Sequence, residues 1–253
     1  MKKTLKQHQK EEFNFLKEFD IICKKNNIKY SLAFGTLLGA VRHNGFIPWD
    51  DDIDLMMEKK ELDKILPELN KKYKIKDMIN NKNKASLYAF DAMQITKEDM
   101  GNTLDIFIFE KTSNKKIYKM CQSLFMKIYT PISSLERGGV SKRGGGFLRK
   151  VWRILNKSIG KVFLKIKLTK KLNSLYIKLF VETKQSKPDY FIRETSMMIF
   201  NKKDIYPLKK IIFEKIEFPI INNYEKFLKL KYNKYWILPK EKDRVPLHFE
   251  NLK

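Results

Sequence analysis

Phe15, Leu16, Phe19, Ile22 and Cys23 recur at three- and four-residue spacing with charged positions between them, which predicts an amphipathic helix over 5–27. A short apolar segment at 30–34 reads as a strand ending at Gly35. Thr36, a residue type that caps helices, is placed to start a short helix running through Val41. Gly45 and Pro48 mark a loop, and a second strand is expected at 53–57. Residues 60–73 read as a helix, and 86–90 and 104–109 as further strands.

Past the glycine pairs and triplets at 138–139 and 144–146, the pattern changes. Leu148, Val151, Trp152, Leu155, Ile159, Val162, Phe163 and Ile166 form an apolar helical stripe opposed by Arg149, Lys150, Arg153, Lys157 and Lys161. After Pro188 the pattern is mixed again, divided by Pro207, Pro219, Pro239 and Pro246, and no internal repeat is found. The expected class is α/β (α+β): a mixed sheet flanked by helices. A catalytic core over 1–112 is followed by a basic, mostly helical insertion at 113–190, and 191–253 completes the same domain.

Composition narrows the function classes. The chain has 253 residues, 43% of them hydrophobic, with 18 Phe and 11 Tyr, enough to bury a core and exclude a disordered polymer. Two cysteines, Cys23 and Cys121, make neither a disulfide framework nor a cysteine zinc site. The N-terminal stretch MKKTLKQHQKEEFNFLKEFD lacks the apolar core of a signal peptide. The longest uncharged run, 30–41, is shorter than the roughly 18 residues that span a bilayer. A cytoplasmic protein, soluble or peripheral at the inner face of the membrane, is expected.

The formal net charge is +24, but it is unevenly spread. Residues 50–105 carry 13 acids and 10 bases, whereas 137–181 carry 13 bases and no acid. An anionic partner beside the basic half is one reading. The other is plain lysine enrichment, since 46 of the 53 bases are lysine. For 148–166 the corresponding pair of readings is peripheral contact with an anionic membrane or packing of the stripe on the core.

Against this basic background, GTLLGAVRHNGFIPWDDDID places Asp50, Asp51, Asp52 and Asp54 within five positions. If Asp52-Ile53-Asp54 lies on a strand, alternation sends both carboxylates to one face. Unpaired, they would raise each other's pKa; a divalent cation removes that conflict, and oxygen-only ligands suit Mg²⁺ or Mn²⁺. Asp105, a lone acid in the apolar run LDIFIF, supplies a third carboxylate, because a buried charge there needs a partner. A solvated acidic turn would account for Asp52 and Asp54 alone. The Gly-Thr helix start ahead of them is a place for phosphate. Together these describe a phosphoryl- or nucleotidyl-transfer site.

The stretch AFGTLLGAVRHNGFIPWDDDIDLMM resembles the signature of the LicD family, which includes bacterial phosphocholine transferases and the related fukutin and fukutin-related proteins. The resemblance runs from CKKNNIKYSLAFGTLLG to LDIFIFE and resumes at YPLKKIIFEKIEFPIINNYEKFLKLKY. It departs at Tyr232-Asn233-Lys234, where the family often carries an acidic Tyr-Gly-Asp, and at 113–190, which matches nothing nameable.

The resemblance implies a nucleotidyltransferase-like fold. It also implies transfer of a phospho-alcohol, phosphocholine first among them, from a CDP-linked donor such as CDP-choline to a hydroxyl of a cell-surface glycan. Lipopolysaccharide, capsule or teichoic acid would serve as acceptor, free or lipid-linked, and CMP would be released. Carried over by position, Asp52, Asp54 and Asp105 become ligands for one or two Mg²⁺ or Mn²⁺ ions, with Asp105 also the base for the acceptor hydroxyl. Gly35 and Thr36 would hold donor phosphate, and Arg42 would either neutralise the diphosphate or pair with Asp50 or Asp51. Asp50 and Asp51 are expected to brace the loop, as is His43. Trp49 is either a packing anchor or a stacking surface for the cytosine or the choline ammonium, and Arg244 and His248 are either functional or surface bases. The competing readings are a nucleotidyltransferase handing an NMP to a small acceptor, a DxD glycosyltransferase, and a non-catalytic membrane- or nucleic-acid-binding protein. Nucleic acid is the less favoured partner, because it leaves the carboxylates without a purpose.

Overall fold

The computed structural model describes residues 3–77, 92–97, 103–112, 189–192 and 198–246, together with isolated positions between 117 and 179. The expected strand at 86–90, the stripe at 148–166 and His248 lie outside the described residues. The chain divides into two compact units, one of 1–77, 92–109 and 202–253, the other of 78–91 and 110–201.

The first unit opens with α1 (Leu5–Lys25). Its start is fixed by a capping box: the Thr4 hydroxyl accepts the Gln7 amide N–H, and the Gln7 side chain accepts that of Thr4. The expected stripe, Phe15, Leu16, Phe19, Ile22 and Cys23, is buried throughout. It lies over a five-stranded mixed sheet built from β1 (Tyr30–Leu32), β2 (Ile53–Glu58), β3 (Lys74–Asp77), β4 (Ala92–Thr96) and β5 (Thr103–Thr112). The spatial order is β1-β2-β5-β4-β3, with β2 and β5 parallel and the other neighbours antiparallel. The apolar side chains of β2 and of β5 from Leu104 to Phe109 are all buried, as strands covered on both faces require. With α2 (Phe34–His43) and α3 (Lys59–Lys72) around this sheet, the α/β expectation of a mixed sheet flanked by helices holds.

The start of α2 corrects two sequence expectations. The first strand stops at Leu32 rather than Gly35, and α2 begins at Phe34 with Ala33 at the cap position and no side-chain cap bond. Thr36 therefore sits inside the first turn, buried, and does not cap. The reason is tertiary: its hydroxyl accepts the Asp54 N–H at 2.8 Å, while the Ala33 N–H goes to the Asp54 carbonyl at 2.9 Å. Phe34 enters the helix at φ 38, unusual for an aromatic residue, and its ring is held against Phe107 and Phe227.

In the second unit, β6 (Asp189–Ile192) pairs antiparallel with β7 (Met198–Phe200), setting buried Tyr190 opposite buried Phe200. The first unit resumes with a one-turn helix, Lys202–Ile205, and a hairpin of β8 (Lys209–Phe213) and β9 (Ile216–Ile220). Glu214 and Lys215 turn the hairpin with positive φ values of 48° and 68°, as a two-residue connection demands. Phe213 and Phe218 are fully buried against Phe13, and Phe46 packs on Phe213. Helix α4 (Tyr224–Tyr232) follows, its Asn223 cap accepting the Lys226 N–H. Among the described residues no helix is long and apolar enough to cross a membrane.

Candidate active site

The parallel pairing of β2 with β5 sets Asp54 directly beside Asp105. Neighbouring strands lie about 4.8 Å apart, so two carboxylates at one register on one face are near neighbours. Asp52 precedes β2 by one residue, and its charge is felt at Asp54 together with that of Asp105. Both members of the Asp54–Asp105 pair are held. The Asp54 carboxylate accepts the Gly35 N–H at 3.2 Å, and Gln94 Nε2, on the opposing strand β4, donates to Asp105 Oδ1 at 2.9 Å.

Gly35 and Thr36, the expected phosphate contacts, are thus both engaged with Asp54, one through its backbone N–H and one through its hydroxyl. Glycine at 35 has a second cause. A Cβ there would lie 2.8 Å from Asp50 Oδ2, so the residue leaves room for a carboxylate.

Asp50 and Asp51, expected to brace the loop rather than to serve as the main cation ligands, each offer a carboxylate oxygen that groups with one from Asp52. The three lie within 4.8 Å of one another, close enough for one cation. Burial raises the Asp50 and Asp54 carboxyls well above the usual carboxylate range, and Asp52 adds to both. A cluster of acids that cannot all ionise alone, with oxygen as its only donor atom, fits a hard divalent cation such as Mg²⁺ or Mn²⁺.

Three residues of α1 complete the site, and the sequence reading passed over all of them. His8 Nε2 bonds to the Asp51 carbonyl at 2.9 Å, Gln9 Nε2 donates to the Asp50 carbonyl at 2.8 Å, and Glu12 Oε1 accepts the Thr103 N–H at 3.0 Å. One helix therefore grips the backbone at the entrances of both acid-bearing strands. His8 and Glu12 are almost wholly buried despite their charge-bearing side chains. In a helical pattern they read as polar positions ahead of the apolar stripe, and His8 with Glu12 as an ordinary i,i+4 pair of a solvent-facing surface.

Glu12 is a titrating group in its own right. Burial pushes its carboxyl from an ordinary 4.5 up to about 9, with the charges of Asp52 and Asp105 adding to the rise. An acid whose folded pKa lies above its unfolded value binds more protons when folded, so its contribution to stability falls as pH rises through that window. Glutamine keeps the acceptor for Thr103 and cannot ionise. In EDTA, the melting temperature of Glu12→Gln relative to wild type is expected to increase steadily between about pH 5 and pH 9. A difference independent of pH would show that Glu12 ionises normally.

On the other side, α4 brings Lys231 and Tyr232 close to the acids. Burial lowers the Lys231 pKa while Asp54 opposes the fall, and burial followed by Asp54 raises Tyr232. The Lys231 ammonium also lies 5.0 Å from the Phe34 ring centroid. Arg42, near Asp50, donates from Nε to His43 Nε2 at 3.0 Å and from Nη1 to the Tyr235 carbonyl at 3.1 Å. His43 is thus a hydrogen-bonding neighbour of Arg42. Trp49 and Arg244, far apart in sequence, meet with the guanidinium 5.5 Å from the ring centroid.

Comparison with known proteins bears on this arrangement. Residues 27–141 match the family model described as LicD/FKTN/FKRP, nucleotidyltransferase domain, a span that takes in β1 to β5 and all of the clustered aspartates. The lipopolysaccharide cholinephosphotransferase LicD of Haemophilus influenzae is 29% identical over 269 aligned residues, covering 99% of this chain and 98% of that protein. Uncharacterized proteins of Rickettsia typhi and Rickettsia prowazekii are each 38% identical over 110 residues, 42% of this chain and 31% and 36% of theirs. By the motif that carries its acids, the model spanning its central sheet and a likeness extending from end to end, the chain is similar to the LicD family.

Proposed function

We propose that the protein is a phosphotransferase that moves a phospho-alcohol, phosphocholine in the first instance, from a CDP-linked donor to a hydroxyl of a cell-surface glycan, with release of CMP. The observation that supports it most is the Asp54–Asp105 pair, set side by side on parallel strands with Asp52 one residue ahead of β2. The end-to-end likeness to a lipopolysaccharide cholinephosphotransferase supports the acceptor class and the head group. In this reading 1–112 and 191–253 form the catalytic domain, with 113–190 inserted in it.

Asp52, Asp54 and Asp105 would hold Mg²⁺ or Mn²⁺. Bound there, the cation supplies charge neutralisation for a diphosphate and for the negative charge that builds on the leaving CMP. The chain's own groups do the rest. Gly35 and Gln94 fix the carboxylates of Asp54 and Asp105 before substrate arrives, so little reorganisation is needed at reaction. Arg42 and Lys231 add positive charge on the α2 and α4 side of the acids, suited to the donor phosphates. The acceptor oxygen attacks the phosphorus bearing the alcohol. Its O–P bond forms as the bond to CMP breaks, CMP leaves with the electron pair, and Asp105 takes the hydroxyl proton. No covalent intermediate on the protein is required.

Purified protein offered a panel of CDP-alcohols with Mg²⁺ or Mn²⁺ and a glycan acceptor is expected to release CMP fastest from CDP-choline. No CMP from any member of the panel would remove the proposal. The match to a nucleotidyltransferase domain favours a second reading, in which an NMP is transferred to a small acceptor. Release of pyrophosphate from a nucleoside triphosphate, with no CMP from CDP-alcohols, would select it.

A further inference from the structure

We propose that the loop 234–240 is a membrane-insertion element, which seats Trp236, Ile237 and Leu238 in the headgroup layer of an anionic bilayer. These three consecutive side chains are 61%, 64% and 43% exposed, and Leu230 and Val245 in the same segment are exposed as well. Scattered exposed apolar residues are ordinary, but a contiguous trio that includes tryptophan is not. Nor is this a slack segment. Tyr235 is buried at its root, and its carbonyl takes the Arg42 bond. The Ile237 N–H turns back to the Lys234 carbonyl at 3.0 Å, and Arg244 Nε donates to the Pro239 carbonyl at 2.9 Å. The backbone is braced while the large side chains point outward.

The occupant follows from charge and side-chain type. Around the trio, between 234 and 244, the chain carries Lys234, Lys240, Lys242 and Arg244 against Glu241 and Asp243. Lysines flanking an exposed Trp-Ile-Leu match a layer that is anionic at its surface and apolar beneath, where tryptophan partitions by preference. A second copy of this chain, itself at +24, is repelled from the same patch. The placement has a use. Arg42, which bonds to the loop at the Tyr235 carbonyl, also feels the charge of Asp50, so a membrane contact here lies near the acidic cluster, where a lipid-linked acceptor would be presented. That use rests on the proposed function; the binding itself does not.

Two measurements decide it. Wild-type protein should sediment with phosphatidylglycerol-containing vesicles far more than with phosphatidylcholine vesicles, and brominated lipids should quench its tryptophan fluorescence. In a Trp152→Phe background, Trp236→Phe should abolish the quenching while Trp49 remains. The triple variant W236S, I237S, L238S should lose at least tenfold in vesicle partition, keep its circular dichroism and melting temperature, and release CMP normally with a short soluble acceptor. Vesicle binding unchanged in the triple variant, or quenching that survives Trp236→Phe in that background, overturns the assignment. So does absence of binding to either vesicle, or a concentration-dependent self-association lost in the triple variant. Failure of CMP release alone would count against the proposed function and leave this result standing.

Discussion

Asp54→Asn is expected to lower transfer by at least about a hundredfold while leaving the fold intact, because one lost cation ligand removes several kcal/mol of charge stabilisation. Asparagine is nearly isosteric, and its oxygen can still accept the Gly35 N–H. It also removes a carboxyl that burial and Asp52 already hold above its usual range, so the melting temperature in EDTA should not fall. Asp52→Asn and Asp105→Asn should behave alike in turnover, and EDTA should reproduce the loss in wild type. Asp50→Asn should lose less than Asp54→Asn, since Asp54 alone of the two is paired in register with Asp105. Turnover assays beside thermal denaturation with and without Mg²⁺ measure all of this. Full activity of Asp54→Asn in metal-free buffer would remove the cation from the mechanism; an equal loss in Asp50→Asn would move the site to the Asp50–Asp52 group.

The second large effect is structural. A Cβ on Gly39 would lie 2.5 Å from the Gly45 carbonyl oxygen and 3.1 Å from the Ile47 nitrogen, both backbone atoms. Gly39→Ala therefore has to push the loop that follows α2, the segment leading straight into Asp50. The loop cannot yield freely: the Glu214 N–H donates to the Asn44 carbonyl, and the Phe46 N–H donates to the Glu214 carboxylate. Overpacking of this kind costs about 1–3 kcal/mol, which for a chain of this size lowers the melting temperature by about 2–4 °C per kcal/mol. Activity should fall further than stability, because the displaced backbone carries the acids. Gly45→Ala is the control. Its new Cβ would meet the Glu214 carboxylate, a side-chain end that can swing aside with loss of the Phe46 bond alone and no backbone shift, so its effect should be smaller. Equal melting temperatures and turnover for Gly39→Ala and wild type would show that the loop is not held as described.

The parts of the site legible in sequence were those written in local pattern. Periodicity in 15–23 marked the buried face of α1, and the apolar runs marked β2 and β5 with Asp54 and Asp105 on them. Thr36 fits a cap by type, but the cap lies three residues earlier, at Ala33, because the Thr36 hydroxyl is drawn to the Asp54 N–H, a contact no local rule contains. His8, Gln9 and Glu12 were passed over for a related reason. Polar residues on an amphipathic helix read as solvent-facing unless something distant needs their hydrogen bonds, and here the Asp50 and Asp51 carbonyls and the Thr103 N–H do. Trp49 with Arg244, and Arg42 with Tyr235, join positions nearly two hundred residues apart, which only the folded chain brings together. The short strands β3, β4, β8 and β9 also escaped, being brief and mixed in pattern, so that pairing rather than sequence defines them.

The most direct test of the central claim is the mass of the acceptor after reaction. Purified protein, CDP-choline, Mg²⁺ and a defined glycan acceptor should yield acceptor heavier by one phosphocholine group, with one CMP formed for each acceptor modified. Acceptor carrying a cytidylyl group, or CMP formed with the acceptor mass unchanged, would contradict the account.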